Sequence, residues 1–234
     1  MKFGIRFSDF GIRSLVVMGV MVWASTSVFG MATRYKYSAS QGGRPVYKMD
    51  YSVTKPSGPT GDVHLSTKII GEGRNEDIQV VLRANHHFKS LSQVTKNKKD
   101  RFKWRVNLKN TTATAHWTDL KSKENKTFSF DFPKNGYPIQ VFIYMLQQPE
   151  FKSQSADLQL LVPPNGFYGI AVKTLGDEAI NVRNKSILCH QVEVGLSGVI
   201  GAIGPKYMFW IDSKTGVPVR YLDGDVVVDL VSAK

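Results

Sequence analysis

Hydrophobic positions recur at every second residue along most of the chain beyond residue 45. In VYKMDYSV, Tyr47, Met49, Tyr51 and Val53 share one side, with Lys48, Asp50 and Ser52 on the other. DVHLSTKI repeats the pattern through Val63, Leu65, Thr67 and Ile69. RFKWRVNLK sets Phe102, Trp104, Val106 and Leu108 opposite Lys103, Arg105, Asn107 and Lys109, and FSFDF aligns Phe128, Phe130 and Phe132. Side chains alternate between the two faces of a strand, so this period marks strands with one dry face and one wet face. Near the C-terminus, YMFWI and VPVRYL flank Asp212-Ser213-Lys214-Thr215-Gly216, a loop suited to a bulged hairpin. Asp223-Gly224 marks a tight turn into VVVDLV, and KPSGPTG at 55–61 reads as a further hairpin loop. The predicted fold is mainly β: an antiparallel curved sheet forming a barrel or half-barrel.

One segment keeps a different period. After Gly136-Tyr137-Pro138, the residues Ile139, Phe142, Ile143 and Leu146 recur at helical spacing, and Pro149 closes the run. Pro138 suits a first helical position. Val141, Tyr144 and Met145 make the other sides apolar as well, and a helix apolar nearly all round is a buried one. The prediction is one apolar helix packed on the concave face of the sheet, either as a lid over a hollow or as core that fills it. In the first case Phe128, Phe130, Phe142, Ile143, Leu146 and Trp210 are the candidate lining of an apolar or lipid-like ligand site.

The first residues follow another logic. Lys2, Arg6 and Arg13 stand against a lone Asp9, and SLVVMGVMVWASTSVF follows as an apolar core that ends in small residues. This is the order of a secretory signal, with Val28 and Gly30, or Gly30 and Ala32, at cleavage spacing. An uncleaved anchor is the alternative, but the run falls short of the ~20 residues that span a bilayer. The division expected is a signal peptide at 1–30, an N-terminal arm at 31–45 and a single β-barrel-like domain at 46–234, located in a periplasm or secreted. Loss of the leader lowers the net charge from +12 to +10, a basic excess that favours anionic envelope surfaces. Nucleic acid is not an expected partner of an exported chain. With one cysteine, Cys189, there is no intramolecular disulfide framework, and the fold must stand on its core.

From Thr127 onward the order of parts carries a resemblance. The strand FSFDF is followed by PIQVFIYMLQQ, an alternating stretch, the strand ILCHQVEVGL, and FWIDSKTGVPVRYLDGDVVVDLV. Residues 127–234 resemble the exported bacterial domain-of-unknown-function 3108 family, most specifically in Trp210-Ile211-Asp212 followed by Gly216-Val217-Pro218-Val219-Arg220. The resemblance implies an envelope protein whose curved antiparallel sheet wraps a hydrophobic hollow, as in periplasmic lipoprotein carriers, and brings no catalytic residues. The glycine-rich LSGVIGAIG at 196–204 and the basic middle of the chain depart from that pattern. The former reads as an apolar lip or as a glycine-kinked strand.

Candidate chemistry is sparse. His64, His86, His87, His116 and His190 show no metal-site spacing, and the adjacent pair His86-His87 would point to opposite faces of a strand. Gly195-Leu196-Ser197-Gly198 lacks the last glycine of a nucleophile elbow, and Asp131, Asp177, Glu178 and Glu193 are scattered. Cys189 reads as a small buried hydrophobe more readily than as a nucleophile. No catalytic residue, metal or cofactor is expected. Lys98, Lys99, Arg101, Lys103 and Arg105 form a basic tract, read as an anionic-surface patch or as a solvated hairpin tip that guards sheet edges. The function expected is that of a non-enzymatic envelope protein binding an apolar ligand in its hollow. The alternative is a structural or assembly factor that acts through protein contacts, its protein partner not specified by the sequence.

The leader reading makes one direct prediction. Intact-mass analysis of the exported protein should find a new N-terminus between Gly30 and Tyr35, and recovery of the full-length chain in the membrane fraction would contradict it.

Overall fold

The computed structural model describes residues 32–56, 58, 60–83, 85, 87–97, 100–134, 136–148, 156–162, 166–198 and 206–234; the leader reading and most of LSGVIGAIG lie outside them. The alternating stretches are strands: β1 (Ala32–Gln41), β2 (Arg44–Thr54), β3 (Val63–Gly71), β4 (Arg74–Leu82), β5 (Phe88–Lys96), β6 (Arg101–Lys109), β7 (Thr112–Asp119) and β8 (Asn125–Asp131). A short β9 (Gly136–Pro138) precedes the helix. The second half adds β10 (Ala156–Val162), β11 (Gly166–Val182), β12 (Lys185–Leu196), β13 (Tyr207–Asp212), β14 (Pro218–Asp223) and β15 (Val226–Ala233). All belong to one sheet, in the order β8-β7-β6-β5-β4-β3-β2-β1-β15-β14-β13-β12-β11-β10-β9. The sheet is open, with β8 and β9 as its edges. Among the described strands only β9 pairs in parallel, with β10.

Within the span expected as an arm, residues 32–45 form a strand, a turn and the start of the next strand. β1 lies in the middle of the sheet between β2 and β15, with Tyr35, Tyr37 and Ala39 buried. The sequence ATRYKYSA carries the same alternation as its neighbours, and it is this strand that joins the first half of the sheet to the last.

Cross-strand rows show why the register is fixed. On the wet face, paired positions run Lys36, Asp50, Lys68, Asp77, so that every charge in the row meets its opposite across the ladder. On the dry face one row runs Val53, Leu65, Val80, Leu91, Val106, Ala115, Phe128. A one-residue slip would exchange these two faces, so the register is strongly specified. Bulges at Lys36/Tyr37, Ala39/Ser40, Val81/Leu82, Thr174/Gly176 and Trp210/Ile211 add twist and bend the sheet.

The helical segment lies within the curve. It is shorter than its sequence pattern suggested: a 3-10 turn, Ile139–Val141, leads into α1 (Phe142–Leu146). Pro138 stands one residue ahead of the turn with extended backbone (φ −62°, ψ 139°). So brief a helix has little stability of its own and depends on tertiary packing. Ile139, Val141, Phe142, Ile143, Tyr144, Met145 and Leu146 are all buried, and the Phe142 ring meets Phe209 of β13 edge-on at 5.5 Å. On the other side Gln140 Nε2 donates to Gln93 Oε1 of β5 (2.9 Å), and Gln93 Nε2 donates to Thr95 Oγ1 (3.1 Å). The segment therefore ties the two halves of the sheet across its concave face.

A second, smaller core lies on the convex face, where Ile180, Val182, Cys189 and Val219 pack with Ile187, Trp210 and Leu230. Of the residues that carried the family resemblance, Trp210 and Val219 lie in it, while Ile211 and Val217 pack in the main core. Trp210 Nε1 donates to Glu178 Oε2 (2.7 Å), and Arg220 holds Asp229 through both Nε (2.6 Å) and Nη2 (3.0 Å). Asp212 Oδ1 accepts from Lys214 N (2.8 Å), and the Gly216 N–H donates to the Asp212 carbonyl (2.8 Å). Gly216 has φ +71°, where a Cβ is unfavourable. Gly216→Val should therefore lower stability by about 1–2 kcal/mol or more, read as a fall in Tm, with an unchanged Tm counting against this hairpin geometry.

Candidate functional site

The two halves of the sheet meet at a seam of aromatic rings. β8 is an edge strand whose inward residues become progressively covered along its length: Phe128 is 38% exposed, Phe130 is half-buried, and Phe132, just beyond the strand, is buried. Phe132 stacks on Phe88 of β5 (5.0 Å between centroids) and meets Phe167 of β11 edge-on (5.1 Å). Phe130 also meets Phe167 edge-on (5.9 Å). Edge-to-face pairs at these separations place the positive ring edge on the negative ring face, so they fix geometry as well as burying area. Ring contacts thus draw the edge of one half against the other, where no strand pairing joins them.

Beside Phe128 the inward surface continues to the tryptophans. Trp104 is buried 6.1 Å from the Phe128 ring, and its cross-strand partner Trp117 is half-buried. Lys126, paired with Trp117, holds its ammonium 5.3 Å from that indole ring and bonds Glu124 (2.9 Å). Trp104 Nε1 makes no hydrogen bond among the described residues. The lip of the seam is therefore apolar and aromatic, with a cation at one side.

The sequence-derived lining is only partly assembled. Phe128 and Phe130 lie at the lip, whereas Phe142, Ile143 and Leu146 are enclosed by the sheet and reach no open surface. Trp210 does not join them. It alternates with the inward Phe209 and Ile211, so strand geometry turns it to the convex face and its bond to Glu178. Arg101, Lys103 and Arg105 also point to the convex face, opposite the buried Trp104 and Val106. Lys98 and Lys99 lie outside the described residues. Sequence reading missed Phe167 and Trp117 as members of the seam. Trp117 stands in an alternation (Ala113, Ala115, Trp117) muted by two alanines, and nothing local marks Phe167 as the partner of Phe132.

Reactive groups are held quiet. Cys189 is buried, and burial first, then Asp212 and Glu178, push its thiol up to about 11. A thiol so far above its ordinary range stays protonated and is a poor nucleophile at neutral pH. His190 Nδ1 sits 2.5 Å from Asp177 Oδ1 on the extended β11–β12 hairpin. Among the described residues no three His, Cys, Asp or Glu side chains cluster in a way that could hold a metal ion.

The concave face is rich in phenols. Seven of the nine tyrosines are buried: Tyr35, Tyr37, Tyr47, Tyr51, Tyr144, Tyr207 and Tyr221. Tyr37 donates to the Pro218 carbonyl (3.0 Å), whereas the Tyr51 hydroxyl finds no partner among the described residues. Burial raises Tyr37, Tyr51, Tyr207 and Tyr221 well above the ordinary value of 10.0, and neighbouring phenols or Asp223 add to the effect. A raised value in the fold means that the unfolded chain ionises first. The stability contributed by these neutral phenols is complete below pH 10 and is lost as pH rises through the folded values. Alkaline titration should therefore show tyrosinate absorbance appearing together with loss of the far-ultraviolet β signal. Smooth phenolate formation near pH 10 in a folded protein would contradict the enclosed core.

No family model matches the chain, and no curated protein matches it in sequence. Among solved structures it is similar to the hypothetical lipoprotein YmcC from Escherichia coli, at 11% identity over 86% of this chain and 83% of that one, with a TM-score of 0.27.

Proposed function

We propose that this chain is an exported cell-envelope protein that binds an apolar or lipid-like ligand at the aromatic seam, with an acyl segment laid along Phe128, Phe130 and Trp117. One observation carries the reading. The inward row Val53, Leu65, Val80, Leu91, Val106, Ala115 is buried throughout, yet its last member, Phe128, is 38% exposed. An apolar row that runs out from under its cover leaves surface for an occupant. Lys126 beside Trp117 offers a cation at the same lip, suited to an anionic headgroup. Binding is assigned to the seam rather than to the space beneath the helix, because the helix side chains are packed as core. The resemblance of residues 127–234 to the exported 3108 family and the order of residues 1–32 support an envelope location. The outward Arg101, Lys103 and Arg105 add to a basic surface that suits an anionic membrane face.

A second reading, a structural or assembly factor with a side-chain-filled barrel, draws on a different observation: Ile139 and Val141–Leu146 are buried without exception, so the protein fills its own hollow.

Uptake of a fluorescent fatty acid by detergent-free protein separates the two. The seam reading expects saturable uptake and quenching of tryptophan emission by brominated fatty acid. Phe128→Ala should weaken affinity several-fold with little change in Tm. Phe142→Ala should cost about 3–5 kcal/mol of stability yet leave the affinity of the folded fraction unchanged. Well-folded wild-type protein without saturable uptake of any such probe would favour the assembly reading.

A further inference from the structure

β8 carries an unused row of backbone hydrogen-bonding groups, and their direction follows from two bonds that bracket it. The Asp119 N–H donates to the Glu124 carbonyl (2.9 Å), and the Phe132 N–H donates to the Thr111 carbonyl (2.7 Å). Between these, antiparallel bonding alternates residue by residue along the register Ala115↔Phe128. Lys126, Phe128 and Phe130 therefore bond to β7, and Asn125, Thr127, Ser129 and Asp131 turn their N–H and C=O groups outward. Every residue of β8 except Phe130 is exposed, and among the described residues no strand pairs on that side.

We propose that this edge pairs with β8 of a second copy of the chain, antiparallel about a two-fold axis at Phe128. Outward groups must face outward groups, which places a symmetric axis on a residue rather than between two; an axis at Thr127 or Ser129 would leave two residues at one end of the strand unpaired, and one at Asn125 or Asp131 would engage only an end. An axis at Lys126 would set two ammonium groups face to face, and like charges directly opposite are unfavourable. An axis at Phe130 would engage only the end of the strand. The axis at Phe128 uses the whole strand and gives each side chain a compatible neighbour. Asn125 faces the second copy's Asp131, Thr127 faces its Ser129, Lys126 faces the ring of its Phe130, and the two Phe128 rings meet. Thr127 and Ser129 exchange backbone bonds in this register, as do Asn125 and Asp131. The interface is isologous, so it closes on two chains and removes the edge rather than propagating it. It uses the backbone side of β8 and does not depend on a ligand at the seam.

Sedimentation equilibrium or light scattering of lipid-free protein over a concentration series tests it, and the wild type should approach twice the monomer mass. Ser129→Pro removes one outward N–H and leaves the bonds to β7 in place, so it should give a folded monomer whose Tm, unlike that of the wild type, does not vary with concentration. Because Ser129 faces away from the seam, that monomer should still take up a fatty-acid probe if the seam binds one. Phe128→Cys places two thiols on the axis at a closely spaced, non-hydrogen-bonded pair, and mild oxidation should cross-link the copies. The same treatment of Lys126→Cys should not. A wild type that stays monomeric at high concentration, or a dimer that Ser129→Pro leaves intact, would overturn the proposal.

Discussion

A flat sheet of these strands would leave one entire side covered in tyrosine, tryptophan, leucine and valine. Among the described residues the helix available inside the curve to cover it, α1, is five residues long. The sheet must therefore cover itself, and the bulges along β1, β4, β11 and β13 supply the bend. What remains open at the centre is filled by Ile139–Leu146, which touches β5 through Gln140 and β13 through Phe142.

The two faces of the sheet divide the work. The concave side holds the main core, including phenols whose hydroxyls stay neutral in low dielectric. The convex side of the first half is largely polar, with one row, Lys36–Asp50–Lys68–Asp77, ordered by alternating sign. Around β11–β14 it carries apolar cover, where Arg220 fastens β14 to its neighbour β15 through Asp229 and Trp210 reaches from β13 across β12 to Glu178 of β11. The Trp210, Asp212 and Arg220 side chains and the turn at Gly216 thus serve to hold β11–β15 together. Their chemistry is structural: an indole donor on a carboxylate, a bidentate ion pair and a left-handed glycine.

Much of this architecture is legible in the sequence because a period of two is a local property. Tyr47, Met49, Tyr51 and Val53 declare their face within eight residues, and the positive φ of Gly216 follows from its place in a five-residue loop. The strand character of 32–41 was equally visible in ATRYKYSA, but its nearness to the leader invited an arm. The length of the helix was not legible, since helical spacing of Ile139, Phe142 and Leu146 is as compatible with a 3-10 turn and one α-turn as with a longer rod. Nor was the seam. Phe132 and Phe167 meet only because β9 returns against β5 and brings β10 and β11 with it, a long-range consequence of topology. Trp210 illustrates the limit of composition: its size suggested a pocket wall, while its parity with Phe209 already placed it on the other side.

The pairing of β1 with β15 also has a consequence in time. Tyr35 pairs in register with Ala233, and the Arg34 and Lys234 backbones exchange hydrogen bonds at the far end of the same ladder. One side of β1 stays unsatisfied until the last strand has been made, a wait on the order of ten seconds or more at ribosomal speeds. Throughout that interval β1 is a long, tyrosine-rich edge, the kind of surface to which holding chaperones bind. The β1–β15 ladder therefore also fixes the period during which the nascent chain most needs protection.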